Sequence, residues 1–248
     1  MLTVHQFACL SDNYGFLARD EATGKTAAID TPDADAILRE LASLGWTLDL
    51  ILNTHWHPDH AGGNAALQAA TGAVVIGPAE VARIGTAPDR VVADGDTVML
   101  GATRLTVIDV GGHTLGHIAY WDQADQIAFV GDAIFALGCG RMFEGDAPQF
   151  WASLSRLAAL PDDTTLYCAH EYTAANSRFA LSVDADPAVA ARCARVFEQR
   201  ERGEATVPTS VRLEKATNPF LRAPMLIPDV APAEAFARMR AAKDDFRG

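Results

Sequence analysis

Three of the chain's seven histidines and one aspartate fall within six residues of the segment ILNTHWHPDHAGGN, Ile51 to Asn64. In an extended segment the HxH spacing turns His55 and His57 to the same side, so both imidazoles can reach one cation. Asp59 and His60 follow Pro58, which bends the chain and aims them at a neighbouring point. Gly62 and Gly63 then allow a tight turn toward whatever follows. A merely solvated polar loop would not need this donor density. A structural zinc site would close with thiolates at CxxC spacing, and Cys9, Cys139, Cys168 and Cys193 have no such spacing.

Four apolar runs end at or beside a residue able to bind a metal: LDLILNTH at His55, LTVIDVGGH at His113, IAFVGD at Asp132 and TLYCAH at His170. Strands lying side by side would deliver these four to one sheet edge, where sites on layered folds collect. Any one of them alone reads as a capped strand or a buried histidine; four beside HWHPDH read as a metal centre. The candidate ligands, five imidazoles and two carboxylates, exceed the capacity of one tetrahedral ion and suit two. Asp132, at a sharp turn after a strand, is the natural bridge between cations about 3.5 to 4 Å apart. Such a pair lowers the pKa of bound water from about 15.7 to near 7 and so makes a hydrolytic nucleophile.

The elements that must position these donors are short apolar runs bounded by turn residues. Strands are expected over Leu2–Ala8, Gly15–Arg19, Lys25–Ile29, Leu48–Leu52, Ala73–Ile76, Thr97–Leu100, Arg104–Ile108, Ile118–Trp121, Ile127–Val130 and Thr165–Cys168. A helix is expected from about Pro32 to Leu44, capped by Thr31, striped by Ile37, Leu38, Leu41 and Leu44, and ended by Gly45. Further helices are expected near Asn64–Ala70 and Gln149–Ala159. After Tyr172 the strand signals fade into helical patterns separated by the loop ATVPTSVRLEKATNPFLRAPMLIPDV. The expected organisation is therefore a strand-rich body over 1–173 and a small helical domain over 174–248, with no internal repeat.

At 248 residues the chain can bury a substantial core without covalent staples. The net charge of −12 is uneven: residues 1–173 hold 8 Lys and Arg against 22 Asp and Glu, residues 174–248 hold 12 against 10. An acidic body disfavours a binder of long polyanions such as nucleic acid. No apolar run approaches the roughly 18 residues of a membrane span. The start lacks the pattern of a signal peptide, and the scattered cysteines suit reduced thiols, so the expected location is cytoplasmic.

The set HxHxDH, His113, Asp132, His170 resembles the signature of the metallo-β-lactamase superfamily. That resemblance implies an α+β fold, an αββα sandwich, with His55, His57 and His113 holding a first metal, Asp59, His60 and His170 a second, and Asp132 bridging them. SDNYGFL, GCGRMFEG, CAHEYTAANSRFA, ATNPFLR and the ending MRAAKDDF resemble, more narrowly, the hydroxyacylglutathione hydrolase (glyoxalase II) family. The narrower resemblance implies hydrolysis of S-D-lactoylglutathione to D-lactate and glutathione by hydroxide held between two divalent metals, zinc in first place with iron or manganese compatible. It implies Asp59 as an orienting catalytic group, Arg141, Phe143, Tyr172, Arg240 and Lys243 as glutathione contacts, and a monomer acting on a small molecule. Glutathione carries two carboxylates, and the positive balance of the last third independently suits it.

Two departures stand out: many relatives carry Tyr where this chain has Phe143, and some carry Lys in place of Arg141. Persulfide dioxygenase, lactonase and β-lactamase activities belong to the same superfamily and remain alternatives, as does a non-catalytic metal-binding or RNA-processing module. Two histidines are left over: His5 is expected as a surface or packing residue, and His117 as a support of the loop holding His113.

Overall fold

A computed structural model describes all 248 residues as two compact units, Met1–Asp109 with Gly116–Gly131, and Val110–Leu115 with Asp132–Gly248. In the first unit six strands form one sheet in sequence order: β1 (Leu2–Cys9), β2 (Asn13–Asp20), β3 (Thr26–Ile29), β4 (Leu50–Leu52), β5 (Val74–Gly77) and β6 (Arg90–Val91). The first three run antiparallel and the last four parallel. Parallel neighbours need crossovers. Helix α1 (Ala34–Leu44) supplies the one between β3 and β4, and α2 (Pro58–Ala61) with α3 (Asn64–Thr71) the one between β4 and β5.

The apolar stripe of α1, Ile37 and Leu41, and Leu67 of α3 bury against Leu17, Ala28, Ile51 and Val75 of the sheet. The start of α1 differs from expectation. Asp33 caps it, accepting from the Ala36 amide at 3.0 Å, and Thr31 instead donates its hydroxyl to Asn64 at 2.8 Å. The carboxylate directly before the first turn accepts an amide and complements the helix dipole, so it displaces the hydroxyl two residues earlier. Gly45 ends the helix with φ 65°, as expected.

A second, antiparallel layer of the same unit is the meander β7 (Thr97–Leu100), β8 (Thr103–Asp109), β9 (Ile118–Asp122) and β10 (Ile127–Gly131). It packs on the first sheet through Phe16 and Phe129, 6.1 Å between ring centres, and the fully buried Tyr120 donates to the Asn53 carbonyl at 2.9 Å.

The second unit begins with a hairpin of two-residue strands, β11 (Ile134–Phe135) and β12 (Gly138–Cys139). There follow α4 (Ala147–Ala158), β13 (Thr165–Cys168), α5 (Thr173–Val183), α6 (Pro187–Glu201), β14 (Thr209–Ser210), α7 (Val211–Thr217), α8 (Ala223–Leu226) and α9 (Pro232–Asp245). The hairpin, β14, α7 and α8 were not expected. They are too short for a hydrophobic period to develop, and α7 rests on a local signal, Ser210 capping the Leu213 amide at 3.3 Å.

The interior of this unit is aromatic: Phe236 packs on Phe150 at 5.5 Å and on Phe220 at 6.2 Å. A buried polar network ties the hairpin to the helices. Glu214, fully buried, pairs with Arg192 and accepts the Leu137 amide at 2.9 Å. Asn218 donates to the Phe135 carbonyl at 3.2 Å and the Gly138 carbonyl at 2.9 Å. Every buried polar atom of the hairpin turn that is served here would otherwise carry a desolvation cost of about 1–3 kcal/mol.

Candidate metal centre and adjoining cavity

In the first unit the donors follow β4. His55 is fully buried; its Nδ1 lies 3.0 Å from the Thr54 hydroxyl, and its Nε2 lies 3.0 Å from Nδ1 of His57. His57 stands at the start of α2, with Pro58 in the first turn where its missing N–H costs nothing. The single turn brings His60 back beneath it. His60 Nδ1 meets Asp30 at 2.9 Å, and His60 Nε2 lies 3.5 Å from an Asp59 oxygen. Asn13 donates to that same Asp59 oxygen at 3.1 Å.

Asp30, at the end of β3, is the hub of this half. It accepts from the Thr54 amide at 2.7 Å and the Thr54 hydroxyl at 2.8 Å besides holding His60. Its φ is +58°, a conformation Asp tolerates better than most residues and one that here turns the carboxylate back under the next strand. Asp30 and Asn13 were not foreseen. The signal for Asp30 was present, since AAID is one more apolar run ending in a donor. His117 stacks on His55, 4.5 Å between ring centres at 18°. The register of β9 decides this: the Ile118 amide donates to the Thr54 carbonyl at 2.9 Å, which brings residue 117 up against 54–55. His5 pairs with Glu40 at 2.8 Å and stacks on Phe7, a packing role as expected.

In the second unit Asp132 presents one oxygen to each of two imidazoles. Oδ2 is 3.4 Å from His113 Nε2, and Oδ1 is 3.3 Å from His170 Nε2. His113 spends Nδ1 on the Arg141 carbonyl at 2.8 Å, and His170 stacks flat on Tyr172, 4.7 Å between ring centres at 1°. Gly140 must be a glycine: a Cβ there would stand 2.2 Å from the Asp132 carbonyl oxygen and 2.9 Å from His113 Nδ1.

These spacings test the fit of a metal within each half. Donors about 2.0–2.1 Å from a tetrahedral ion lie about 3.4 Å from one another. The four donor pairs stand at 3.0, 3.5, 3.4 and 3.3 Å. Three of the imidazoles engage a protein oxygen through Nδ1 and turn Nε2 to the neighbouring donor, the arrangement by which outer partners orient metal-binding histidines. The residues present therefore suit divalent ions.

A cavity of about 440 Å³ in the second unit is lined by His113 and Asp132 together with all five expected substrate residues. Phe143 is 61% exposed and stands edge-on to the His113 ring at 5.3 Å. Arg240 is buried; it donates to the Cys139 carbonyl at 3.1 Å and to Asp244 at 2.9 Å, and lies over the Phe220 ring at 4.8 Å. Lys243 donates to the Ala175 carbonyl at 3.1 Å. Burial, and then the charges of Arg240, Arg178 and Arg141, pull its pKa down to about 8. Cys139 also lines the cavity, but burial pushes its thiol up to about 11, which removes it as a nucleophile near neutral pH. All four cysteines are free and buried.

Residues 21–170 match the model of the metallo-β-lactamase superfamily, and residues 171–246 that of the hydroxyacylglutathione hydrolase C-terminus. The chain is 58% identical over 252 residues to the hydroxyacylglutathione hydrolase of Erythrobacter litoralis, covering 99% of this chain and all of that one. It is 51% identical to the Maricaulis maris protein of the same name, covering 99% of each. Among solved structures, ETHE1 from Myxococcus xanthus is 28% identical with a TM-score of 0.67, covering 97% of both chains. The BLEG-1 B3 metallo-β-lactamase, at 18% identity and a TM-score of 0.66 over 89% of this chain and 99% of that one, shares the fold. The αββα class expected from the sequence agrees with these likenesses. No helix is long and apolar enough to cross a membrane. By full-length identity, and by both family models in their expected order, the chain belongs to the hydroxyacylglutathione hydrolase family of the metallo-β-lactamase superfamily.

Proposed function

We infer that the chain hydrolyses S-D-lactoylglutathione to D-lactate and glutathione, the second step of methylglyoxal detoxification, with two divalent ions held by His55, His57 and His113, by Asp59, His60 and His170, and by Asp132 between them. The observation that carries this reading is Asp132, whose two oxygens each face a different imidazole at the wall of a cavity bearing Arg141, Arg240 and Lys243. A bridging carboxylate beside a cationic cavity suits a neutral-pH hydrolase of an anionic acyl donor. A divalent pair, when bound, supplies an acidified water and polarises the thioester carbonyl.

The chain's own residues do the rest. Asp59, its carboxylate steadied by Asn13, accepts a hydrogen bond from the attacking water and so aims it. Asp30 and the Arg141 carbonyl fix the ring orientation of His60 and His113. Arg141 and Lys243 attract the glutathione carboxylates, and Tyr172 and Phe143 offer ring faces to its peptide. The departing thiolate, from a group of pKa about 8.5, needs little help from an acid. No side-chain nucleophile is required, in keeping with the raised thiol of Cys139.

Zinc is the proposed metal, and the imidazole and carboxylate set also accommodates iron or manganese. The proposed active form is a monomer in the cytoplasm, a location supported by four free thiols. The helical end, 174–248, is proposed as the glutathione-binding domain; the change of family model between residues 170 and 171 supports that boundary. The test is a steady-state assay with S-D-lactoylglutathione beside a lactone and a β-lactam, with metal content measured on the same sample. Metal-replete protein that turned over the lactone or the β-lactam but not the thioester would refute the reading.

A further inference from the structure

We propose that Arg178 is a further anion-binding residue of this cavity, contacting a carboxylate of the glutathione moiety; the inference rests on the thioesterase reading above. Arg178 lies on α5, whose residues Tyr172, Ala175 and Asn176 line the cavity. It stands three residues after Ala175, hence on the neighbouring strip of the same helix face. Lys243 is seated over that very turn: its ammonium donates to the Ala175 carbonyl at 3.1 Å and lies 5.2 Å from the centre of the Phe179 ring. The Arg178 side chain therefore begins one residue from the ring beneath the Lys243 charge.

No acid neutralises this group. Asp244 is the one carboxylate bonded within the cluster, and Arg240 holds it at 2.9 Å. Arg141, Arg178 and Lys243 have no carboxylate partner, in a chain whose net charge is −12 and whose other cations include six arginines and lysines in ion pairs at 2.5–2.9 Å. Like charges held together without a counterion destabilise a fold, and an arriving anion removes that cost. After burial and Arg240, Arg178 is the strongest influence depressing Lys243, ahead of Arg141, which itself lines the cavity. Arg178 is exposed and can swing, as a contact at the mouth requires. Its place on α5, on the strip next to the lining residue Ala175, puts the cavity mouth within reach of its long side chain.

The experiment uses metal-replete full-length enzyme, with steady-state kinetics on S-D-lactoylglutathione and calorimetric titration with S-methylglutathione, which cannot be hydrolysed. A charge contact at an open rim is worth roughly 0.5–1 kcal/mol, so Arg178→Ala is expected to raise KM and Kd about 2- to 5-fold with kcat unchanged. Arg178→Glu is expected to raise them about tenfold or more, and Arg178→Lys to recover most of the loss. With the diester of S-methylglutathione, which lacks both carboxylates, wild type and Arg178→Ala should bind alike. Arg195→Ala, an exposed arginine of α6, serves as the control and should bind as wild type does. If wild type turns over the thioester while Arg178→Ala and Arg178→Glu keep its KM and Kd, the inference falls and the thioesterase reading stands. If wild type neither hydrolyses the thioester nor binds the thioether, both fall.

Discussion

Lys243 gives the sharpest prediction, because its pKa of about 8 lies where enzymes are assayed and an ordinary lysine's does not. Only the ammonium form can hold a carboxylate, so affinity for the glutathione moiety should fall as pH rises through 8. With that pKa about 90% of the group is protonated at pH 7, half at pH 8 and about a tenth at pH 9, so the ammonium's share of the affinity should be about halved at pH 8 and Kd should approach that of Lys243→Met by pH 9. A lysine of pKa 10.5 would change Kd by only a few per cent over the same range.

Stability runs the other way. The folded pKa lies below the unfolded one, so between pH 8 and 10.5 the unfolded chain binds more protons and the group adds stability as pH rises. At neutral pH its charge is a cost. Lys243→Met should therefore raise Tm at pH 7, with the advantage over wild type shrinking by pH 10, while weakening binding. The assay is calorimetric titration of metal-replete wild type and Lys243→Met with S-methylglutathione from pH 6.5 to 9.5. The ratio of the two Kd values cancels titration of the ligand's amine and of the metal centre, and a ratio flat through pH 9.5 would refute the reasoning.

Asp30→Ala removes the acceptor from His60 and from Thr54, the neighbour of His55, and should lower metal affinity about 10- to 100-fold, read by equilibrium dialysis on folded protein. Glu214→Ala leaves the buried Arg192 uncompensated and frees the Leu137 amide; it should cost about 3–5 kcal/mol in chemical denaturation. Phe143→Tyr adds a phenolic hydroxyl at the cavity wall. At 61% exposure the gain should be small, about 0.5 kcal/mol or a twofold lower KM with kcat unchanged, and a raised KM would contradict the placement of this ring on the substrate side.

The donor set was legible because each donor is announced locally: an apolar run makes a strand, and the strand's end places a side chain at the sheet edge. Ten expected strands recur as β1–β5, β7–β10 and β13 within a few residues. What escaped were elements whose existence depends on partners far along the chain. The hairpin β11–β12 has two residues per strand and no period to read; it is held by Asn218 and Glu214, roughly 80 residues away. The motif ATNPFLR, which the sequence offered only as a likeness, acquires a cause in this: Asn218 satisfies the carbonyls of Phe135 and Gly138 at the hairpin that leads into Gly140 and Arg141.

Arg240 shows the same division at one residue. Its type and position made it a candidate for gripping a glutathione carboxylate, yet two of its nitrogens are already engaged, one on the Cys139 carbonyl and one on Asp244. A guanidinium so committed cannot rotate to a ligand as a free fork. It contributes a fixed charge at the wall and a tie to the end of the hairpin. The mobile contacts then fall to the cations that lack an acid, Arg141, Arg178 and Lys243. This assignment makes Arg240→Lys a different experiment from Lys243→Arg: the first breaks a planar two-partner clamp and should lower Tm by several degrees with any change in KM following from it. The second keeps a charge that no longer titrates near pH 8, so it should flatten the pH dependence of binding while leaving Tm close to wild type.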